Sequence, residues 1–298
     1  MKYLVTGGAG FIGSNLTDYL INLGHEVTVI DNESAVANKQ FYWNEKAKNY
    51  KLDICDYINT RELYDGIDCV FHFAAMARIQ RTIAHPIETV RVNALGTSVV
   101  LECAREAGVK RVIFSSTSSA YGRNPVPNIE TQKSDCLTPY SNSKVFAEGL
   151  CKTYSDLYGL ETIILRYFNV YGSRQPSEGI YAPVIGTFKN QKKNKTPLTI
   201  VGDGEQRRDF TYVGDVIEAN ILAATKDIDK EYFGQIFNIG GGINYSINDI
   251  ANFFNYESIN IPERPGESRS ILSNIEKAKT VLGWEPKTKL EEWIRIDD

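Results

Sequence analysis

Read for apolar and polar positions, the first half of the chain repeats one pattern: a short apolar run, a turn, then a stretch with helical spacing. KYLVTG is followed by SNLTDYLINLG and EVTVID, and CVFHFAA by TSVVLECAREAG and RVIFSS. The stretch after Pro139 is followed by TIILRYFN. Nearly continuous apolar runs separated by helices predict parallel strands covered on both faces. The alternation is clearest to about residue 170. Beyond it, GSRQPSEGIYAPV is rich in turn formers, and KNQKKNK reads as a solvated helix end and loop. FTYVGDVIEANILAAT reads as a strand end and a helix, and FNIGGG as a strand closing on glycines. ERPGES marks a turn, and NIEKAKTVLG and LEEWIRI predict helices.

The first strand runs into VTGGAGFIG, which sets Gly7, Gly10 and Gly13 between a strand and a helix. Glycines permit the tight turn and let the backbone approach a pyrophosphate, which the helix N-terminus then stabilises. The next strand, EVTVID, ends in Asp31, placed to bond the adenosine ribose hydroxyls. A carboxylate there repels a 2′-phosphate, and Asn32 follows rather than an arginine, so NAD is expected over NADP. Asp53, in LDICD, suits either an adenine contact or a capping role. Ala74 and Ala75 end the FHFAA strand with little bulk, which suits a close ligand or simple packing. The fold class expected is α/β, a Rossmann-type doubly wound parallel sheet with a smaller, discontinuous C-terminal substrate-binding domain. Its boundaries are read as 1–170 for the NAD-binding part, with 209–238 returning to it, and 171–208 plus 239–298 for the substrate part.

Composition narrows the classes. With 298 residues the chain can bury a large core, and 42% hydrophobic with 23% charged residues is ordinary for a soluble globular protein. A formal charge of −4 gives no footprint for nucleic acid. No apolar run approaches the ~18 residues of a membrane span, and MKYLVTGGAG starts a strand rather than a signal peptide. Cys55, Cys69, Cys103, Cys136 and Cys151 form no C-x-x-C pair and are odd in number, which predicts reduced, mostly buried thiols in a cytoplasm-like compartment. His25, His72 and His85 have no ligand spacing, so no metal site is expected.

The chemistry concentrates after the fifth strand. RVIFSSTSSAYG runs a buried strand into a hydroxyl-rich turn and puts Thr117 at its carboxyl end, where ligands of open α/β sheets bind. In TPYSNSK, Thr138 can cap a helix whose first turn holds Pro139, and Tyr140 and Lys144 then share one face. A free tyrosine, with a pKa of ~10, is a poor base at neutral pH. A neighbouring ammonium and a charged nicotinamide ring both favour the phenolate, which can then take a proton from a sugar hydroxyl as hydride leaves the same carbon. The second Tyr/Lys pair at this spacing, Tyr42 and Lys46, lacks a hydroxyl-bearing strand before it and is read as a decoy.

TGGAGFIG, FSSTSSAYG and YSNSK together resemble the extended short-chain dehydrogenase/reductase family, specifically its nucleotide-sugar epimerases and dehydratases. The resemblance continues through NALGT, LRYFNVYGSRQ, GDGEQRRDFTYVGD, FNIGGG and ERPGE, over nearly the whole chain. It implies Tyr140 as base, Lys144 on the nicotinamide ribose and Thr117 assisting at the sugar. It implies a cofactor site that adds Phe11, Ile12, Ile54, Phe73, Ser115 and Phe168 to the residues above. Asn169, Arg208 and Arg264 would anchor the diphosphate of a UDP-sugar, with Glu267 on the uridine ribose. Asn93 in NALGT reads as structural. A homodimer is implied, through TSVVLECAREAG and the helix carrying Tyr140.

Departures from the family pattern select among its members. Its 4,6-dehydratases carry an Asp-Glu pair after the active-site threonine, and its decarboxylases typically keep the Glu; here Ser118 and Ser119 stand there. Glucuronate 4-epimerases usually read TVYG where this chain reads NVYG from Asn169. The expectation is a UDP-hexose or UDP-N-acetylhexosamine 4-epimerase serving surface-polysaccharide synthesis. A uronate epimerase, a nucleotide-sugar reductase and a catalytically silent NAD-binding protein are the alternatives. Ile271, seven beyond Arg264, occupies the place that admits or blocks an N-acetyl group and is intermediate in size. Arg78 is a further departure, suited to an acidic substituent, to loop closure or to the surface.

Overall fold

The computed structural model describes residues 1–36, 38–177, 183–263 and 268–297. Seven strands form one parallel sheet: β1 (Lys2–Thr6), β2 (Glu26–Asp31), β3 (Lys48–Lys51), β4 (Cys69–His72), β5 (Arg111–Thr117), β6 (Glu161–Tyr167) and β7 (Gln235–Ile239). Their order is β7-β6-β5-β4-β1-β2-β3, and every neighbouring pair is parallel. The order reverses between β1 and β4, where such sheets open a crevice at the strand ends.

Alternate strand residues feed opposite faces. Tyr3, Val5, Val29 and Phe71 pack beneath Leu16 and Leu20 of α1 (Phe11–Asn22). Leu4, Ile30, Val70 and Val112 pack beneath Val100, Leu101 and Ala104 of α2 (Gly96–Glu106) and Ala147 and Cys151 of α3 (Pro139–Tyr158). Helix α4 (Val213–Thr225) returns to the α1 face through Val216 and Ala219. Full burial of such side chains stabilises by about 1.5–3 kcal/mol each, which is why strands apolar on both faces accept no solvent-facing side. Strand β3 is the exception: KNYK is exposed throughout, an edge strand with lysines that discourage further pairing.

A second core lies beyond β6. Ile185 and Phe188 of the 184–193 helix, Ile250 and Phe254 of the 247–254 helix, and Leu290 and Ile294 of the last helix enclose Leu198 and Ile200. Short strands tie this part together: 198–201 pairs with 258–261, and 207–209 with 244–246. None of the five cysteines is in a disulfide. Among the described residues no His, Cys, Asp and Glu cluster could hold a metal, and no helix is long and apolar enough to cross a membrane.

Candidate active site

A cavity of about 610 Å³ runs along the carboxyl ends of the strands, from the β1–α1 turn to the second core. At one end Gly7 adopts φ 67°, and a Cβ there would lie 2.7 Å from the Ala74 nitrogen. A Cβ on Gly13 would lie 2.3 Å from the Gly7 oxygen. The glycines are thus required by backbone closeness, and the small end of β4 presses on the same turn. Helix α1 begins at Phe11 with no side-chain cap, which leaves first-turn amides for an anion. Asp31 is buried and accepts from the amides of Ala9 (3.1 Å) and Glu33 (2.7 Å). Burial nonetheless raises its pKa above the usual carboxylate value, against those two bonds. This end has the shape and donor set of a dinucleotide cradle, so the residues fit NAD.

The cofactor-side expectations divide. Gly7, Gly10, Phe11, Ile12, Gly13, Asp31, Asn32, Ile54, Phe73, Ala74, Ala75 and Ser115 all line the cavity. Asp53 does not: its carboxylate is held by Arg91 Nη2 (2.9 Å) and the Cys55 amide (2.9 Å), and the cap of the helix that follows is Asp56 instead. Phe168 is also behind the wall, stacked on Tyr121 with ring centroids 6.0 Å apart and packed with Ile271.

Helix α3 delivers the central pair. Thr138 caps it by accepting from the Ser141 amide, Pro139 occupies the first turn, and Gly159 ends it at φ 71°. Tyr140 and Lys144 both line the cavity beside Thr117, Ser118 and Ser119. Lys144 is 2% exposed, with Nζ 4.3 Å from the centre of the Phe114 ring and no hydrogen bond among the described residues. Burial lowers its pKa to about 8, with Cys151 and Glu148 opposing. Next to it His72 is held neutral, its pKa lowered to about 3 by burial and then by the Lys144 charge. His72 serves as a brace, with Nδ1 2.7 Å from Thr6 Oγ1 and Nε2 2.9 Å from Thr97 Oγ1.

Burial raises the pKa of Tyr140, and the Thr117 hydroxyl and the Arg78 guanidinium oppose the rise.

At the sugar end, Arg78, Asn169, Arg208 and Ile271 reach the same cavity. Asn169 sits at φ 23° and donates from Nδ2 to the Asp209 carbonyl (2.7 Å). Arg264 and Glu267 fall outside the described residues. Tyr42 lies elsewhere, its ring 4.8 Å beneath Arg174. Sequence reasoning passed over Asp209, whose buried carboxylate accepts from the Gly241 and Gly242 amides and from the Ser273 amide and hydroxyl. No local pattern announces that network, because its partners come from distant segments. Asn93 is structural as read: it donates to the Met76 carbonyl and to Ser143, and accepts from the Met76 amide.

A glycine cradle with a buried acid, opening beside a tyrosine and lysine on one helix face, has the form of a dinucleotide-dependent enzyme site. Residues 3–240 match the NAD dependent epimerase/dehydratase family, and the chain belongs to it. It is 39% identical to the UDP-N-acetyl-alpha-D-glucosaminuronate decarboxylase of Bacillus cytotoxicus, over 84% of this chain and 78% of that one. It is 34% identical to the UDP-glucuronate 4-epimerase of Thermodesulfobacterium geofontis, over 98% and 94%. The solved UDP-glucose 4-epimerase of Thermotoga maritima, crystallised with UDP-glucose, superposes with a TM-score of 0.93 at 36% identity, over 99% and 97% of the two chains. NAD is the cofactor of this family.

Proposed function

We propose that the protein is a 4-epimerase of a UDP-hexose or UDP-N-acetylhexosamine. The observation that carries this reading is the wall around Tyr140. Thr117, Ser118 and Ser119 supply hydroxyls there. The carboxylates lining the cavity among the described residues are Asp31 and Glu88, and Glu88 is engaged with Arg91, the partner of Asp53. Elimination across the sugar needs an acid beside the threonine, and epimerisation does not. The solved UDP-glucose 4-epimerase of similar fold supports the same substrate class.

When bound, NAD supplies the hydride acceptor and returns the same hydride. Tyr140 removes the proton of the 4-hydroxyl, Thr117 orients that hydroxyl, and Lys144 holds the nicotinamide ribose. The 4-keto sugar turns over between the two hydride steps, and Tyr140 gives its proton back on the other face. No net oxidation results. Turning requires a fixed nucleotide and a free sugar; Asn169, Arg208, Arg264 and Glu267 are assigned to the fixed part, since guanidinium groups suit diphosphate. The segments 171–208 and 239–298 form this nucleotide-sugar half.

We also propose a homodimer. Ile87, Val90 and Leu95 expose 87%, 54% and 52% of their surface, beside Phe146 and Leu157 of α3 at 58% and 71%. Ile87, Val90 and Leu95 lie just before α2 rather than on it, and a second copy would cover them together with Phe146 and Leu157. Unpaired thiols suit a cytoplasm-like compartment.

A second reading, a UDP-uronate 4-epimerase, is favoured by Arg78, a cation at the sugar end with no carboxylate partner among the described residues. The test is anomeric proton NMR with UDP-galactose, UDP-N-acetylgalactosamine and UDP-galacturonate in parallel, without added NAD. Conversion of either neutral sugar supports the first reading. Conversion of the uronate alone replaces it with the second, and conversion of none even with NAD added overturns both.

A further inference from the structure

Neighbouring side chains of a strand point to opposite faces, and the 207–209 strand uses both. Gln206, Arg208 and Phe210 line the cavity, and Asp209, fully buried, stands behind that wall. Its carboxylate gathers four bonds there. Oδ1 accepts from the Gly241 amide at 2.6 Å. Oδ2 accepts from the Gly242 amide at 3.2 Å and from the Ser273 amide and hydroxyl at 2.9 and 2.5 Å. The Asp209 carbonyl accepts from Asn169 Nδ2 at 2.7 Å. One residue thereby joins four segments: the turn after β6 with Asn169, the strand with Arg208, the glycines after β7, and the stretch with Ile271 and Ser273.

The same contacts account for the glycines of FNIGGG. A Cβ on Gly240 would lie 2.2 Å from Ser273 Oγ and 3.0 Å from Asp209 Oδ2, and one on Gly241 would lie 2.6 Å from the Phe210 oxygen. These glycines make room for the acid and its serine, and they are not among the described residues lining the cavity. Backbone bonds complete the seating of the last segment. The Arg207 amide donates to the Arg269 carbonyl (2.9 Å), and the Ile271 amide to the Arg207 carbonyl (3.2 Å). On the other side the Asn128 amide donates to the Leu272 carbonyl (2.6 Å). Ile271 is thus held in the cavity wall from behind. Four donors on one side chain call for a carboxylate, since an amide has one accepting oxygen and would turn its own N–H groups toward the donors.

We propose that Asp209 is a positioning residue for the nucleotide sugar, fixing Asn169, Arg208 and the Ile271 segment as one preformed surface at the end of the sheet. It rests on the proposed function, which assigns Asn169 and Arg208 to the nucleotide. A long arginine side chain and a separate loop lose freedom when they close on a diphosphate, and a frame already in place lowers that cost. Asp209 acts through the residues it holds rather than by touching the ligand.

The test measures UDP binding to the NAD-loaded protein by calorimetry, together with the NAD retained through gel filtration. Asp209→Asn is expected to weaken UDP by about tenfold, and the milder Ser273→Ala by about threefold. Both should retain NAD as the wild type does. The double variant should bind UDP no more weakly than Asp209→Asn alone, because Ser273 acts through that carboxylate. Unchanged UDP affinity in Asp209→Asn overturns the proposal; where that variant does not fold, unchanged affinity in Ser273→Ala does so. Parallel losses of UDP and NAD also overturn it, since they would mark a general loosening. A wild type that does not bind UDP overturns it together with the proposed function. A wild type that binds UDP yet epimerises no sugar overturns the proposed function alone.

Discussion

Arg166 on β6 and Glu148 on α3 meet in the interior through two parallel bonds, Nε to Oε1 at 2.8 Å and Nη2 to Oε2 at 2.7 Å. Ser116 on β5 donates to the same carboxylate at 2.5 Å, and the Arg166 guanidinium carbon lies 4.6 Å from the centre of the Tyr121 ring. Glu148 is one turn beyond Lys144, so this pair sets the register of the catalytic helix on the sheet. Breaking a buried pair leaves one charge unpartnered, at about 3–5 kcal/mol. Glu148→Leu should lower the urea unfolding midpoint accordingly. The double variant Glu148→Leu/Arg166→Met should recover most of the loss, and an additive double would show that the two side chains act separately.

Lys144 makes stability depend on pH in a defined window. Its pKa is about 8 in the fold against 10.5 for the free group, so the unfolded chain binds more protons between those values. Stability from this residue therefore rises with pH through that window, and the penalty is fully present below about 8. Without cofactor, Lys144→Met should be more stable than the wild type at pH 7, by an amount on the order of 1–3 kcal/mol. The gap should close toward pH 10.5. A wild type equal to the variant at neutral pH would contradict the burial of that ammonium.

Asp209 titrates with the other sign. Burial pushes its carboxyl up to about 6 from 3.8, against the bonds from Ser273, Gly241 and Gly242. The folded state thus binds more protons over that range, and stability falls as pH rises through it. Asp209→Asn removes this dependence and also cannot accept all four bonds, a loss of about 1–3 kcal/mol. The stability difference between wild type and variant, followed by urea unfolding from pH 4 to 7, should shrink with rising pH. A pH-independent difference would refute the assignment.

The exposed strip of Ile87, Val90, Phe146 and Leu157 yields a prediction about assembly. A charge at the centre of a buried apolar contact is strongly unfavourable. Phe146→Asp should convert a dimer to a monomer in sedimentation velocity, with unchanged far-ultraviolet circular dichroism. A wild type that sediments as a monomer would remove the proposed interface.

What could be read in advance was local. The Gly7–Gly13 turn, Asp31 at the end of β2 and the Thr138-capped helix with Tyr140 and Lys144 on one face each lie within a single strand–turn–helix window. Asp53 stands off the cavity because Arg91, from a segment after the next strand, holds it, and a carboxylate at the right spacing carries no sign of such a partner. The side chain of Phe168 packs with Tyr121 and Ile271, neighbours that come from other segments. Strand β3 is marked by the strand end at LDICD rather than by its own residues, since the exposed KNYK has no apolar run. The meeting of Asp209 with Ser273 follows from how distant segments close together, which no local window contains.

The central claim is that hydride leaves C4 of the sugar and returns to C4. The most direct measurement starts from whichever UDP-sugar is turned over, deuterated at C4, and follows it in ordinary water. The account predicts a 4-epimer that retains the deuterium at C4, with none formed by Tyr140→Phe. Loss of the label to solvent would mean inversion by another route and would contradict the account.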